Sequence, residues 1–386
     1  MIARPPDVPA EIARILRYIT KEFAASNDPG GFVAGNPAYG IDFRRSAVPE
    51  PAVLLYLLRD VLGFANIGRF EKVAWECVFS FRGIRASIAD QKLGMRLYLD
   101  RAAFADRPAA RATGTELVRA LERAMKVLER RFLGAYATVQ LKTDQVTVMN
   151  QSARLREMYE YFKGGAKAAY EGTGRLADTG SGGGWRIFRE ETEGFFNTVS
   201  MITAYFSWLE HVLLLALAFH DAERMPVAEF MRLKWSEKYL ALLPVKHHVR
   251  GLRVYRRLRR ASEEYRNPYA HGALHLRQGA VAFHLPGCGA VSMGLRQDHL
   301  TPSFWLLPFD RRAFDDAVRT FAATDRLLRE HRSTRAAMKW IDGGLPVAFD
   351  DRSRAEYTRA ATSGRTLDQF LERSAHEFDQ AVNMDW

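Results

Sequence analysis

The sequence predicts a mainly α fold with a smaller β component (α+β), in which a helical bundle follows an N-terminal α+β domain. Long segments carry apolar residues at three- and four-residue spacing, which is typical of amphipathic helices. One segment, 73–100, instead contains short β-rich runs separated by turn residues. Hydrophobic residues make up 47% of the 386 residues, and charged residues 26%. This composition is sufficient for a substantial apolar core and argues against disorder.

The N-terminal part is predicted to surround a three-stranded antiparallel meander. Its runs, "VAWECVFSFRG", "IRASIAD" and "LGMRLYLD", are broken at Gly83 and at the turn Asp90–Lys92. Helices are predicted on both sides of it, at 9–25, 50–62, 113–133 and 152–170. Pro51 suits the first turn of the second helix, and Thr113 or Thr115 could cap the third.

The segment 171–185, "EGTGRLADTGSGGGW", has six glycines in fifteen residues. It predicts a linker or mobile loop. A phosphate-binding loop is the alternative, but the segment has no GK[ST] ending and no strand before it. We therefore expect the following parts: 1–170, an α+β domain that senses or docks a regulatory protein or ligand; 171–185, the linker; 186–300, a helical domain with a β-hairpin-like extension; and 301–386, C-terminal helices packing on it.

After the linker the sequence is again helical. Helices are predicted at 187–220, 226–243, 247–266, about 310–331 and about 366–382. A β-like stretch at 273–295 has turn signals at Gln278-Gly279 and Pro286-Gly287.

The most apolar part of the first of these helices, 199–219, is long enough to span a bilayer. However, Glu210 and His211 lie at its middle, where a charge is costly in lipid. A buried bundle helix is therefore the favoured interpretation, and no membrane partner is expected.

Two cysteines, Cys77 and Cys288, are too few for a disulfide framework or a zinc site. The first residues carry prolines and acids where a secretory signal carries its apolar run. We therefore expect a cytoplasmic protein, and we expect no cofactor or metal.

The formal net charge of +11 favours an anionic partner. The segment "RGLRVYRRLRR" holds six arginines in eleven residues with no acid, on a helix whose core stripe is Val254, Leu258, Ala261 and Tyr265. A solvated helix face is one interpretation. The other is a phosphate-binding face, with these candidate nucleic-acid-binding residues: Arg253, Arg256, Arg257 and Arg260.

The arginine-rich helix runs directly into "YRNPYAHG", residues 265–272. Pro268 fits the first turn of a new helix, and Asn267 before it is a natural N-cap. We therefore expect the helix to stop at Arg266 and a new segment to begin. This places Arg266 and His271 where both could face one cavity.

The "RNPYAH" segment, together with the preceding long, shorter and basic helices, resembles the HEPN domains (higher eukaryotes and prokaryotes nucleotide-binding). The match runs residue by residue through Arg266, Asn267 and His271 and covers roughly 187–276. The β-like segment after His271 departs from the minimal family fold.

The resemblance implies a metal-independent endoribonuclease, a hydrolase of RNA in which two protomers form a homodimer and bring two Arg/His sets into one cleft. Members often serve as toxins or antiviral-defence effectors. Histidine can carry a proton near neutral pH, arginine can stabilise charge on a phosphate, and asparagine can orient the histidine or contact the phosphate. Glu210, an acid within the bundle, needs a partner. Arg266 is a plausible one, so Glu210 is a candidate supporting residue.

Other interpretations remain open for the same residues. Arg266 could pair with Glu263 or another acid, Asn267 could only cap, and His271 could be a core histidine. The domain could bind nucleic acid or nucleotide without cutting it, or it could be a partner-binding adaptor whose charge is incidental.

Overall fold

The computed structural model describes residues 8–384, except for 29, 34, 36, 43–49, 176–182, 221–224, 244, 246–247, 268–281, 293, 296–301 and 304–310. Within this part the chain forms two compact units, 1–141 with 373–386, and 142–372. The fold is mainly helical with an N-terminal antiparallel sheet, so the predicted α+β class is confirmed.

The first unit contains one sheet and its covering helices. Its strands are β1 Phe23–Ala25, β2 Ala38–Asp42, β3 Ala65–Asn66, β4 Val73–Phe81, β5 Ile84–Gln91 and β6 Gly94–Asp100. Its helices are α1 Ala10–Ile19, α2 Pro51–Leu55 with a π-helical extension Tyr56–Val61, α3 Arg107–Leu128 with a π-helical extension Glu129–Leu133, and α4 Gly134–Lys142; a 3-10 turn covers Arg101–Ala103.

The predicted three-stranded meander is confirmed as β4, β5 and β6, the centre of the sheet order β1-β4-β5-β6-β2. Arg82 and Gly83 join the first two strands with φ of 52° and 77°. Positive φ at both loop residues is the backbone of a type I′ hairpin turn, which matches the right-handed twist of the strands. β3 extends the sheet by pairing with β4.

Two predicted helix boundaries in this unit are wrong. The helix expected at 9–25 ends at Ile19, because Phe23–Ala25 pairs with β4 as an edge strand. The helix expected at 113–133 begins at Arg107. Its cap is Asp106, whose carboxylate accepts the N–H of Ala109, so neither Thr113 nor Thr115 caps it.

The second unit is a helical bundle with small β elements. Its helices are α5 Ser152–Tyr170, α6 Gly183–Ala216 with a 3-10 extension Leu217–Phe219, α7 Val227–Arg232, α8 Trp235–Leu242, α9 Val249–Ala261 with a π-helical extension Ser262–Arg266, α10 Arg311–Glu330, α11 Arg335–Asp342, α12 Asp351–Ala360 and α13 Gly364–Asn383. Its strands are β7 Thr147–Val148, β8 Ala282–Leu285, β9 Gly289–Ser292, β10 Gly294–Leu295, β11 Pro302–Ser303 and β12 Val347–Ala348.

Helix α6 is the central element of this bundle, and α5, α8, α10 and α11 pack on it. It is long and apolar enough to span a membrane, yet 78% of its most apolar stretch is buried inside the protein. A lipid-facing helix would leave that surface exposed, so this burial favours the core-helix interpretation.

The division into units differs from the sequence-based one. α5, assigned from sequence to residues 1–170, packs along α6 and lies in the second unit. α13 begins in the second unit, and its residues from Arg373 onward belong to the first. The helices α11 and α12 were not predicted, and the segment 226–243 forms two helices instead of one. The predicted turn at Pro286-Gly287 joins the hairpin β8–β9, whereas the one at Gln278-Gly279 lies outside the described residues.

Candidate nucleic-acid interface and catalytic site

The end of the arginine-rich helix differs from the prediction. Residues Ser262–Arg266 form a π-helical turn, and the N–H of Asn267 donates to the carbonyl of Ser262. Asn267 has φ −62° and ψ −42°, a helical backbone. An N-cap residue is usually extended, so the predicted cap at Asn267 is wrong. The wider turn keeps the chain helical through this residue.

Arg266 and Glu210 form an ion pair inside the bundle. The guanidinium Nη1 donates to Glu210 Oε1 at 3.2 Å, and the side chains are 26% and 30% exposed. The pairing suggested from the sequence is therefore present, and the alternative acid, Glu263, pairs with Arg259. Because both side chains keep some solvent contact, a ligand could reach the guanidinium.

Lys238 completes the charge cluster. Its Nζ lies 3.9 Å from Glu210 Oε2, and its side chain is 6% exposed. Burial lowers the pKa of Lys238, and the Glu210 carboxylate opposes that shift. With both cations charged, two positive groups share one carboxylate, and the cluster carries a net charge of +1.

Aromatic rings support the same helix end. The Arg266 guanidinium lies 5.2 Å from the centre of the Phe206 ring, which packs 5.1 Å from the Trp235 ring. Trp235 Nε1 donates to Ser262 Oγ at 3.3 Å, and that hydroxyl donates to Asn267 Oδ1 at 3.4 Å. Thus α6, α8 and the π-helical turn together fix the positions of Arg266 and Asn267.

His271, the predicted proton carrier, lies outside the described residues, as does the whole of 268–281. The structure therefore brings together three of the four predicted catalytic residues. Arg266 contacts Glu210 directly, and Asn267 is linked to them through Ser262, Trp235 and Phe206.

The arginine face of α9 is partly neutralised. Three arginines pair with acids of the same helix end or of α10: Arg250 with Glu330, Arg259 with Glu263, and Arg260 with Glu264. The other three are exposed and have no acidic partner among the described residues: Arg253, Arg256 and Arg257. The core stripe is confirmed at Val254, Leu258 and Ala261, which are buried.

A groove of about 320 Å³ lies between α9 and α10. The α9 side of the groove is lined by Arg257, Arg260 and Tyr265. The α10 side is lined by Asp316 and Arg319. Arg319 pairs with Asp316 at 2.5 Å. The groove thus joins part of the arginine face to the residue directly before Arg266.

Lys238 was not predicted from the sequence. A signal was present, because Trp235, Tyr239 and Leu242 are the buried residues of α8 and Lys238 occupies the same face of that helix. A lysine on an apolar stripe needs a nearby carboxylate.

His211, next to Glu210 in the chain, has a structural partner. His211 Nε2 accepts the N–H of Gln151 at 2.9 Å, and burial lowers its pKa. Across the described part of the chain, no group of three His, Cys, Asp or Glu side chains is placed to hold a metal ion.

Comparison of the chain with family models, with curated proteins and with solved structures returned no match.

Proposed function

We propose that this chain binds RNA along the arginine face of α9 and cleaves it as a HEPN-type, metal-independent endoribonuclease. The observation that carries the proposal is the Arg266–Glu210 ion pair at the end of that helix. A half-buried carboxylate holds a partly exposed guanidinium beside Asn267, in the motif that resembles the family. The activity fits the role of a toxin or antiviral effector in the cytoplasm.

The chemistry uses the nucleophile that RNA carries. The 2′-hydroxyl attacks the adjacent phosphorus, and the bond from phosphorus to the 5′-oxygen breaks. One proton leaves the 2′-hydroxyl and another reaches the 5′-oxygen, which leaves 2′,3′-cyclic phosphate and 5′-hydroxyl ends. His271 transfers a proton, and Arg266 stabilises the charge on the phosphate. A second protomer would supply the second histidine that separate acid and base roles require.

A non-catalytic nucleic-acid-binding module is the second candidate. Arg266 is engaged by a carboxylate and by the face of Phe206, which is also how a purely structural arginine is held. The exposed arginines of α9 could then bind RNA or nucleotide without cutting it.

The deciding experiment compares wild type with His271→Ala and Arg266→Ala. RNA cleavage and thermal melting are measured side by side, with and without EDTA. We expect cleavage that survives EDTA and gives cyclic phosphate ends, and its loss in a His271→Ala protein that still melts near the wild-type temperature. If wild type binds RNA but produces no cleavage products, the binding module is supported. Full activity in a folded His271→Ala protein would contradict the ribonuclease proposal.

A further inference from the structure

A second basic cavity lies in the 142–372 unit, where three helix junctions meet. Its volume is about 550 Å³. Its walls come from three places in the chain. The end of α6 provides Phe219 and His220, and the turn between α10 and α11 provides Arg332 and Ser333. The turn between α12 and α13 provides Ser363. None of these residues belongs to the Arg266 network.

The side chains around this cavity are strongly cationic. Arg335 and Lys339, four residues apart on one face of α11, line it together with Arg332. Lys339 pairs with Asp368. Arg332 and Arg335 have no carboxylate partner among the described residues, and no Asp or Glu in that part of the chain lines the cavity.

A neighbouring cavity extends the same charge. It has a volume of about 420 Å³, shares His220 with the first, and is lined by Arg354 and Arg359. Arg354 is 5% exposed and lies 3.6 Å from Asp144. Because Arg354 pairs with Asp144, the candidate cation of this second cavity is Arg359. It could bind a ligand that fills both cavities.

Hydrogen bonds fix the two turns that form the walls. In the turn before α11, His331 Nδ1 accepts the N–H of Ser333 at 3.2 Å, and the buried Thr334 hydroxyl donates to the carbonyl of Leu328 at 2.7 Å. In the turn before α13, Ser363 Oγ accepts the N–H of Thr366 at 3.2 Å and Thr366 Oγ1 accepts the N–H of Ser363 at 3.3 Å. The site is thus largely formed before a ligand arrives.

The cavity also has an apolar side. The Phe219 ring stacks on Tyr357, with centroids 4.4 Å apart and an angle of 21° between the rings. Leu367 is buried beside it. An apolar surface with a few convergent polar groups, in a volume of this size, is typical of small-ligand sites.

We propose that this cavity binds a phosphate-bearing ligand through Arg332 and Arg335. Two guanidinium groups that lack carboxylate partners in the described part of the chain match the oxygen pairs of a phosphate, which accept bidentate hydrogen bonds. The Ser333 hydroxyl adds a donor. The phosphate could belong to a free nucleotide or to the 5′ end of an RNA strand.

The test measures binding by isothermal titration calorimetry with three probes. These are ATP and one short 2′-O-methylated RNA, which lacks the attacking hydroxyl, carrying either a 5′-phosphate or a 5′-hydroxyl. Wild type should bind ATP, or should bind the 5′-phosphorylated RNA more tightly than its 5′-hydroxyl twin. The first result identifies a nucleotide as the ligand, and the second an RNA end.

The matched variants are Arg332→Gln/Arg335→Gln and, as a control, Arg312→Gln/Arg326→Gln. The control removes two exposed arginines of α10 that do not line the cavity. Arg332→Gln/Arg335→Gln should weaken phosphate-dependent binding at least tenfold, and the control double variant should leave it unchanged. Equal binding by both double variants, or no phosphate-dependent binding by wild type at millimolar concentration, would overturn the proposal. Neither result bears on RNA cleavage at Arg266.

Discussion

Glu210 shares one carboxylate between two cations: Arg266 donates to its Oε1 at 3.2 Å, and Lys238 lies 3.9 Å from its Oε2. The removal of that single negative charge would leave a nearly buried ammonium group facing a guanidinium. Such an uncompensated charge is costly, whereas the loss of an exposed ion pair is not.

Glu210→Gln should therefore lower the free energy of unfolding by about 1–3 kcal/mol. Lys238→Met in the same chain should restore part of this loss, because it removes the unpaired ammonium. Urea denaturation measures both effects. The control is Glu330→Gln, which breaks the exposed pair with Arg250 and should change stability by less than about 0.5 kcal/mol. Equal costs for Glu210→Gln and Glu330→Gln would show that the cluster is no more than a surface pair.

The three arginines of α9 without acidic partners among the described residues should dominate RNA binding. Arg253→Gln, Arg256→Gln and Arg257→Gln together remove three phosphate contacts. The slope of log affinity against log salt should then fall by up to about 2, at about 0.7 per contact for a single strand. Filter binding of a 2′-O-methylated RNA, which cannot be cleaved through its 2′-oxygen, measures this slope over a salt series.

A matched triple variant separates binding from a change in total charge. Arg250→Gln, Arg259→Gln and Arg329→Gln also remove three positive charges, but each of these arginines is paired with an acid. This control should keep most of the salt slope. The same decrease in both triple variants would mean that net charge alone attracts the RNA.

The sequence predicted elements whose signals are local. The breaks at Gly83 and Asp90–Lys92 between β-rich runs predicted the meander, and the four- and three-residue spacing of Val254, Leu258 and Ala261 predicted the inner face of α9. The Glu210–Arg266 pair could also be predicted from the sequence, because a charge in an apolar helix requires a partner. The first two features follow from local backbone geometry and hydrophobic periodicity, and the ion pair follows from the free-energy cost of burying a charge without a partner.

The features that the sequence did not predict depend on tertiary context. Nothing local predicts that Phe23–Ala25 leaves a helical pattern to pair with β4. The π-helical turn at Ser262–Arg266 also overrides the tendency of a residue before proline to leave the helix. The boundary near residue 142 was missed because α5 packs on α6 beyond the glycine-rich segment, which had indicated a division there.

A homodimer is expected if the chain acts as HEPN-type nucleases do, because one Arg266/His271 set supplies one imidazole only. Sedimentation equilibrium of the purified chain at micromolar concentration should give roughly twice the 43.8 kDa of one chain. A monomer under these conditions, with no other chain present, would argue strongly against a shared cleft. The control is sedimentation of Arg266→Ala. This variant should still be a dimer, which would show that it loses activity for a reason other than dissociation.

In the N-terminal unit, Gly31 lies against a buried carboxylate. Glu76 is fully buried, and its Oε1 accepts the N–H of Phe32 at 2.8 Å and the Ser87 hydroxyl at 2.6 Å. A Cβ at Gly31 would lie 2.3 Å from Glu76 Oε2. Gly31→Ala should therefore destabilise this unit by about 1–3 kcal/mol.

Gly134→Ala is the matched control in the same unit. A Cβ there would meet nothing within 4 Å, and the residue is helical, so stability should rise by about 0.5–1 kcal/mol. Thermal melting of both variants measures the difference. A Gly31→Ala protein as stable as Gly134→Ala would show that the loop moves freely away from Glu76.

His211 should make the stability of the helical bundle depend on pH. Burial lowers its pKa in the folded state below 6.5, its ordinary value, and its Nε2 must stay unprotonated to accept the N–H of Gln151. Below pH 6.5 the unfolded chain then binds more protons than the folded one, so the free energy of unfolding falls as the pH falls. Burial also lowers the pKa of His331, which contributes in the same direction.

His211→Gln should reduce this pH dependence, because the amide oxygen can accept the Gln151 N–H without titrating. Urea denaturation of wild type and variant between about pH 5 and pH 8 measures it, where histidines titrate. Wild type should lose stability from pH 6.5 downward, and the variant should lose less over the same range. His376→Gln, at an exposed position on α13, is the control and should follow wild type. If His211→Gln also follows wild type, the pH dependence arises elsewhere, and the His211–Gln151 hydrogen bond does not link protonation to folding.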